Sequence, residues 1–381
     1  MQLSSNSYWE KQYWRDFDFI VVGGGLVGLS CAASLAEKKP ENRILVLERG
    51  LLPTGASTKN AGFACFGSLT ELLADLQRND EDSCLQTVER RWCGLKKLRQ
   101  RLGDQKIGFE ASGGYELLLP KHQSALEQMA YINQLLHPIF GEEVFRSANH
   151  LLPVFGFQRV SHLLYNPFEG KVNTGMLTRS LLAYVQQLGV TVLTGAEVLH
   201  IEELRGRDCV QVHVKQSHTA EPFVFEAPRI AICSNAFSRQ LLPSLPVAPG
   251  RGQVLITRPL PSLPFRGIFH FDEGYYYFRD IDGRLLFGGG RNLDFEGETT
   301  TELTPTEFIY KQLVKKLQEI ILPSISFEIE YIWAGIMAFT PNHQPIVQRI
   351  SPGIVAGVGL NGMGVAIGTE VGEQVAELLH S

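Results

Sequence analysis

Three glycines and one carboxylate carry the first chemistry in this chain. Gly23, Gly25 and Gly28 follow the apolar run at 17–22, and Glu48 stands twenty positions after Gly28. Gly23 permits the tight turn out of a strand. Gly25 lets the backbone come within hydrogen-bonding distance of a pyrophosphate, and Gly28 lets a helix pack closely on that strand. The amides at the start of that helix (Leu26, Val27, Gly28) have no carbonyl partner and, with the helix dipole, form the positive end of the site. Glu48, at the tip of a second strand and followed by Arg49, is placed to accept from a ribose 2′-hydroxyl and to repel a 2′-phosphate. Together these residues describe a site for a ligand built on ADP.

Two further segments are rich in small residues. One, Gly55-Ala-Ser-Thr-Lys-Asn-Ala-Gly62, lies just past the second strand and contains Ser57, Asn60, Ala61 and Gly62. An irregular stretch of that composition in a large domain reads as a loop close to a ligand. The other, Gly359-Leu-Asn-Gly-Met-Gly364, opens the last helix of the chain with Asn361, Gly362, Met363 and Gly364, and suggests a second place where backbone approaches a flat ring.

The elements that must position these residues follow from the hydrophobic pattern. A buried strand at 17–22, a helix at 26–38 stopped by Pro40, and a strand at 43–48 form one β-α-β unit. Amphipathic helices are expected from Leu85 to Leu102, from Ala125 to Leu136 and at 174–188, the last capped by Asn173 or Thr174. Strands follow at 191–193, 197–201, 210–214 and 229–233. From 253 to 287 the texture becomes antiparallel, with strands at 254–257, 268–271, 275–279 and 285–287. A helix at 305–319 with Thr304 as its cap, strands at 327–334, 346–347 and 354–356 returning to the first domain, and a helix at 364–380 complete the reading. The expected fold class is α/β: a discontinuous Rossmann-like dinucleotide domain (16–85, 160–235 and 330–381), with an inserted antiparallel-sheet α+β domain (86–159 and 236–329) and an N-terminal arm (1–15) packed across the sheet.

The 381 residues suffice for about two domains. A 44% hydrophobic and 20% charged composition is that of an ordinary globular protein, and a net charge of −5 argues against nucleic acid as a partner. Six widely spaced cysteines read as reduced thiols, and no histidine–cysteine spacing suggests a metal site. With no leader or membrane span apparent, a cytoplasmic location is expected.

The segment at 55–62 resembles the loop that wraps the FAD pyrophosphate in the superfamily of D-amino-acid oxidase, glycine oxidase and sarcosine oxidase. The resemblance extends to Gly170-Lys-Val-Asn-Thr-Gly-Met-Leu177, to Ile230-Ala-Ile-Cys-Ser-Asn-Ala-Phe-Ser238, to Gly250-Arg-Gly-Gln-Val254, to Asp282-Gly-Arg-Leu-Leu-Phe-Gly-Gly289 and to the 359–364 loop. It implies a glutathione-reductase-type FAD domain with an inserted substrate domain. Ser57, Asn60, Ala61, Gly62 and Ser234 would lie along the cofactor, and Val198 would meet the adenine through its backbone. Asn361, Gly362, Met363 and Gly364 would bring amides to the pyrimidine edge of the flavin.

Three departures bear on the substrate. Met337 stands where glycine and D-amino-acid oxidases place a carboxylate-clamping arginine. Gly335 stands where sarcosine-oxidase relatives anchor FAD by a cysteine, which implies a non-covalent cofactor. Ala366 stands near a lysine of those enzymes, and Leu286 lies nearest the place of their oxygen-activating lysine. The loss of these cations points away from a simple α-amino acid, with Arg251 and Arg291 left as cationic candidates. Tyr275 and Tyr277 share one face of a strand and are placed, with Met337, to position a substrate. Trp333 reads as a core tryptophan and His270 as a surface histidine.

The function implied is FAD-dependent oxidation of an amine or N-substituted amino compound to an imine by hydride transfer to flavin N5, with oxygen or another carrier as electron acceptor. The alternatives are an oxidase or dehydrogenase of D-amino acids, glycine or 2-hydroxy acids, and a non-catalytic flavin-binding assembly protein.

Overall fold

Phe19–Val22 sends its side chains alternately into two different cores. Phe19 and Val21 pack with Leu26, Leu29 and Ala33 of the helix Leu26–Lys38, whereas Ile20 and Val22 pack with Val210, Val212 and Phe225. Ile44–Glu48 divides in the same way, with Ile44 and Val46 on one side and Leu45 and Leu47 on the other. A strand covered on both faces must be apolar at each position, which is why these stretches lack alternation. Each such side chain contributes roughly 1.5–3 kcal/mol on burial. The computed structural model in which these contacts are seen describes residues 7–204, 206–217 and 219–381.

The first sheet has six strands in the order Ile346–Ser351, Ile354–Val358, Arg229–Ile232, Phe19–Val22, Ile44–Glu48 and Thr191–Thr194, parallel except for its first pair. The helices Leu26–Lys38, Glu81–Leu102, Thr174–Gln187 and Gly364–His380 share the core on one face. A three-stranded antiparallel sheet (Val198–Glu203, Val210–Val214, Phe223–Ala227) covers the other. This is the expected Rossmann-like domain.

The second sheet has eight strands in the order Ile329–Phe339, Ala248–Thr257, Arg284–Gly289, Tyr276–Ile281, Ile268–Phe271, Gly114–Leu118, His162–Asn166 and Arg146–Ser147. One face is a dense aromatic core: Phe269, Phe271, Tyr276, Phe278 and Phe287 pack against the helix Glu307–Lys316 and the turn Leu317–Ile321. The opposite face carries a row that register aligns across five neighbouring pairs: Trp333, Val254, Gly288, Tyr277, His270 and Glu116. This second face looks toward the dinucleotide domain.

Several expected placements are corrected. Ile329–Phe339 does not return to the first domain; it pairs along its length with Ala248–Thr257 as the edge of the second sheet. Its alternation of large and small residues suited either sheet, and the partner decided. Glu81–Leu102 belongs mainly to the dinucleotide domain, because Leu95, Leu98 and Leu102 join that core. His162–Asn166 lies in the second sheet. The helix expected at 305–319 begins at Glu307, because Thr306, not Thr304, offers the hydroxyl that accepts from Ile309 N. The strand Phe223–Ala227 was not expected. Of the N-terminal arm, residues 1–6 lie outside the described residues. Tyr8, Trp9, Tyr13 and Trp14 do not pack across the sheet but stand 51–66% exposed, on and just after a short helix capped by Ser7 and Glu10.

Candidate active site

One cleft runs between the two sheets, from the turn after Phe19–Val22 at one end to Arg78, Arg291 and His343 at the other. At the first end the helix Leu26–Lys38 begins without a side-chain cap or an acidic residue in its first turn. Leu26 N meets Ser57 Oγ at 3.0 Å, so Ser57 joins the 55–62 loop to the helix start. Gly23, Gly25, Leu26 and Val27 line the cleft. Gly28 does not, and its role is packing: a methyl group there would lie inside the Gly23 carbonyl. Glu48 is buried with both oxygens engaged, Oε2 accepting from Gly24 N and Oε1 from Gly50 N, each at 2.9 Å. These bonds fix the carboxylate at the cleft wall with lone pairs to spare for a hydroxyl donor. Beyond it lie Val198 and Ser234, and Arg49, whose guanidinium stacks 3.6 Å over Phe237.

Two asparagines, Asn60 and Asn361, line the cleft and also brace their own loops. Asn60 donates to the Ala56 and Ser57 carbonyls, and its oxygen accepts from Gly62 N and the Thr174 hydroxyl. Asn361, in the left-handed region at φ 51°, accepts from Thr340 N and donates to the Gly359 carbonyl. In the 359–364 loop the Asn361 and Met363 amides bond to Ala338 O and Leu360 O. Among the cleft-lining residues of this stretch, the amides of Gly362 and Gly364 stay available to a ligand, as do those of Leu360 and of Val365, both of which the sequence reading missed. Ala61 lines the cleft, whereas Gly62 faces Val172 and Arg279. Arg279, buried, donates to the Ala61, Gly62 and Val172 carbonyls and so ties the second sheet to this loop.

The second sheet supplies a floor with few side chains. Gly252, Gly289 and Gly335 line the cleft, with Gly252 directly opposite Gly335 across a strand pair. Trp333, expected in a core, is half-buried and donates Nε1 to the Lys59 carbonyl at 3.0 Å, holding the 55–62 loop over this floor. Tyr275, Tyr277 and Met337 all reach the cleft, while Tyr276 points into the aromatic core. Phe63 stands edge-on to both Tyr277 and His270, with centroids 5.6 and 5.1 Å apart. Burial pushes the Tyr277 phenol up to about 12 and raises Tyr275, so both stay protonated at neutral pH and act as donors or aromatic walls, not bases. His270 is not a surface residue. It is 4% exposed, beside Glu169 and the buried Cys65, whose thiol burial raises to about 11.

The far end of the cleft is richer in charge than the sequence suggested. Arg78, Arg91, Arg291, His343, Glu71, Asp75 and Glu273 all line it. Arg91 donates to Phe66 O, and Arg78 pairs with Asp75 at 3.7 Å. Arg251 is unavailable: it is bidentate to Glu298 on the closed side of the sheet, with the Gly297 and Thr304 carbonyls completing its fork. Arg291 differs. Its guanidinium lies 4.1 Å over the Phe339 ring and 5.0 Å from Phe295, and among the described residues it has neither an ion pair nor a hydrogen-bond acceptor for its buried Nε. Burial lowers its pKa, with Tyr275 and Glu298 opposing, but a guanidinium stays charged.

The geometry at the first end fits the dinucleotide part of FAD. A helix start whose own N-cap residue supplies no side chain, a glycine turn that a side chain at Gly25 would crowd against Ser57, and a fixed carboxylate at the second strand are features of the cradle. The family model described as FAD-dependent oxidoreductase, DAO, covers residues 18–378. The chain belongs to the DAO family. This DAO-family protein is 24% identical over 379 residues to the probable oxidoreductase OrdL of Haemophilus influenzae, covering 95% of this chain and 82% of that one. In fold it is similar to glycine oxidase from Geobacillus kaustophilus (TM-score 0.75, 20% identity, 96% and 95% covered) and to L-proline dehydrogenase from P. horikoshii (TM-score 0.75, 20% identity, 96% and 93% covered). The protein is an FAD-dependent oxidoreductase. No helix among the described residues is long and apolar enough to cross a membrane.

Proposed function

We propose that this enzyme oxidises the C–N bond of an amine that also carries a carboxylate, giving an imine that water hydrolyses. The observation that carries the reading is Arg291: a cation held at the cleft wall with no ion pair among the described residues. A guanidinium in that state is complementary to a carboxylate in a two-bond fork. Because Met337 leaves the strand Ile329–Phe339 without a cation, the anion is bound from the neighbouring Arg291 side of the floor. This favours an N-substituted amino acid, or an amino compound whose carboxylate lies away from the reacting carbon. The two fold neighbours are named for glycine and L-proline, each an amine with a carboxylate.

When bound, FAD supplies the hydride acceptor. The chain's own residues bind and orient. Arg291 holds the anionic end, Tyr275 and Tyr277 flank the amine with aromatic faces, and Met337 fills the wall beside Gly252. Only the neutral amine has a C–H bond ready to leave as hydride, and an apolar wall lowers an ammonium pKa by desolvation. A dedicated base is therefore unnecessary, consistent with two phenols held protonated. The amides of Gly362, Gly364 and Val365, which line the cleft, would stabilise negative charge on the bound cofactor. The acceptor that returns the enzyme to its oxidised state is oxygen or another carrier. Six cysteines free among the described residues suit a reducing compartment, and we propose the cytoplasm.

Anaerobic mixing of the holoenzyme with N-methyl amino acids, the same amines lacking the carboxylate, and 2-hydroxy acids tests this. Loss of the yellow absorbance with the first set, at far lower concentration than with the second, is expected. Loss with hydroxy acids alone would overturn the amine reading, and no loss with any donor would leave a binding protein.

A further inference from the structure

Cys65 and His270 on the wall of the cleft, with Glu169 beside them, bring a thiol sulfur, an imidazole nitrogen and a carboxylate oxygen to within 4.8 Å of one another, all three side chains buried. They come from separate elements: Cys65 follows the short strand Phe63–Ala64, Glu169 precedes its partner Gly170–Lys171, and His270 lies in the large sheet. Neither catalysis nor cofactor binding, as derived above, uses them. We propose that they form a binding site for a divalent transition ion of the zinc class.

The spacing supports an ion more than a hydrogen-bonded triad. His270 Nε2 lies 3.6 Å from Glu169 Oε2 and, although 96% of the residue is removed from solvent, has no hydrogen-bond partner within 3.5 Å among the described residues. Without a metal ion, the pair forms at best a long ion pair, with an imidazolium between Glu169 and Cys65. The two atoms are at the separation of two ligands around one ion: tetrahedral bonds of about 2.0–2.3 Å place ligand atoms roughly 3.3–3.6 Å apart. Cys65 Sγ lies within 4.8 Å of both. Glu169 Oε1 already accepts from Phe66 N, which orients the carboxylate and leaves Oε2 directed at the imidazole. Thiolate, carboxylate and neutral imidazole together carry two negative charges, so a divalent cation leaves the buried cluster neutral, with the thiol proton released to solvent. The thiolate and imidazole select zinc-class ions over magnesium or calcium. Three protein ligands leave a fourth position open. Met363 Sδ, 3.9 Å from Cys65 Sγ, and the cleft both border the cluster on the Cys65 side. A second, small cavity lies beside His270 and Glu169, lined also by Glu116 and Asn166.

The test uses the FAD-loaded protein, dialysed against a chelator and then equilibrated with Zn²⁺. About one zinc per chain is expected by elemental analysis, with sulfur in its coordination shell by zinc K-edge absorption. Cys65→Ser and His270→Gln should each weaken binding at least tenfold while keeping the flavin content and melting temperature that show a folded chain. Cys84→Ser, which alters a buried thiol elsewhere, should bind as the parent does. Failure of the parent to take up zinc would overturn the site, leaving a triad bridged by hydrogen bonds or water. So would uptake without sulfur ligation, or uptake unchanged in the Cys65 and His270 variants. If a variant fails to fold, the parent's absorption edge still decides. None of these readouts depends on which donor the enzyme oxidises.

Discussion

The two ends of the cleft are built from different materials. The dinucleotide end is mostly main chain: glycines, helix-start amides and one carboxylate held by two further amides. The substrate end is mostly side chains on one face of a sheet, set among glycines that keep that face low. A main-chain site depends on what is absent at each position, so enlarging a residue abolishes it. A side-chain site depends on what is present, so truncation changes which ligand it takes and leaves the fold standing. The largest effect is therefore expected from Gly28→Val. The added side chain cannot coexist with the Gly23 carbonyl, so the helix must leave the strand and the cradle is lost. The purified variant should be nearly colourless, with released flavin below about a tenth of the parent's. Normal flavin content would mean that the cradle does not depend on this contact.

Arg291→Met asks the converse question. Flavin content and melting temperature should stay near the parent's, while kcat/KM for a carboxylate-bearing amine falls roughly 100-fold, about 2.7 kcal/mol. The loss should be much smaller for the same amine without its carboxylate. Arg251→Met gives the contrasting result. It strands Glu298, 1% exposed, without its charged partner, so stability falls by about 3–5 kcal/mol through a buried unpaired charge. Equal kinetic losses for the two variants would remove the distinction drawn between them.

The same contrast explains how much could be read from the chain alone. The β-α-β unit was legible because glycine spacing, apolar runs and a terminal acid report local geometry, and local geometry is written in neighbouring residues. The wall of the substrate pocket was not. Arg291 and Arg251 have similar sequence surroundings, yet one is closed off by Glu298, forty-seven positions away, and the other faces the cleft. His270 read as a surface residue because a lone histidine in a short strand carries no sign of which face it takes. Its neighbours Cys65 and Glu169 come from distant segments. Strand partners are equally non-local, so Ile329–Phe339 was given to the wrong sheet.

Glu48→Gln sits between the two kinds of site, being a side chain in a main-chain cradle. An amide keeps one of the acceptor roles toward Gly24 N and Gly50 N but sets a donor against the other amide. Weakening of FAD affinity by about tenfold, some 1.4 kcal/mol, is expected from titration of the deflavinated protein. An unchanged affinity would show that the carboxylate only shapes the turn.

The smallest effect should come from Tyr277→Phe, and it concerns pH. Because burial holds the phenol near 12, it does not titrate between pH 6 and 10 and cannot set the working pH of the enzyme. The rise of kcat/KM with pH should follow instead the fraction of substrate present as neutral amine, which grows as pH approaches the ammonium pKa from below. Removing the hydroxyl should lower kcat by no more than about fivefold, roughly 1 kcal/mol for one lost neutral hydrogen bond, and leave the midpoint of that limb where it was. A limb displaced by a full unit in Tyr277→Phe would make the phenol part of the proton path, and the wall of the pocket would then do more than orient.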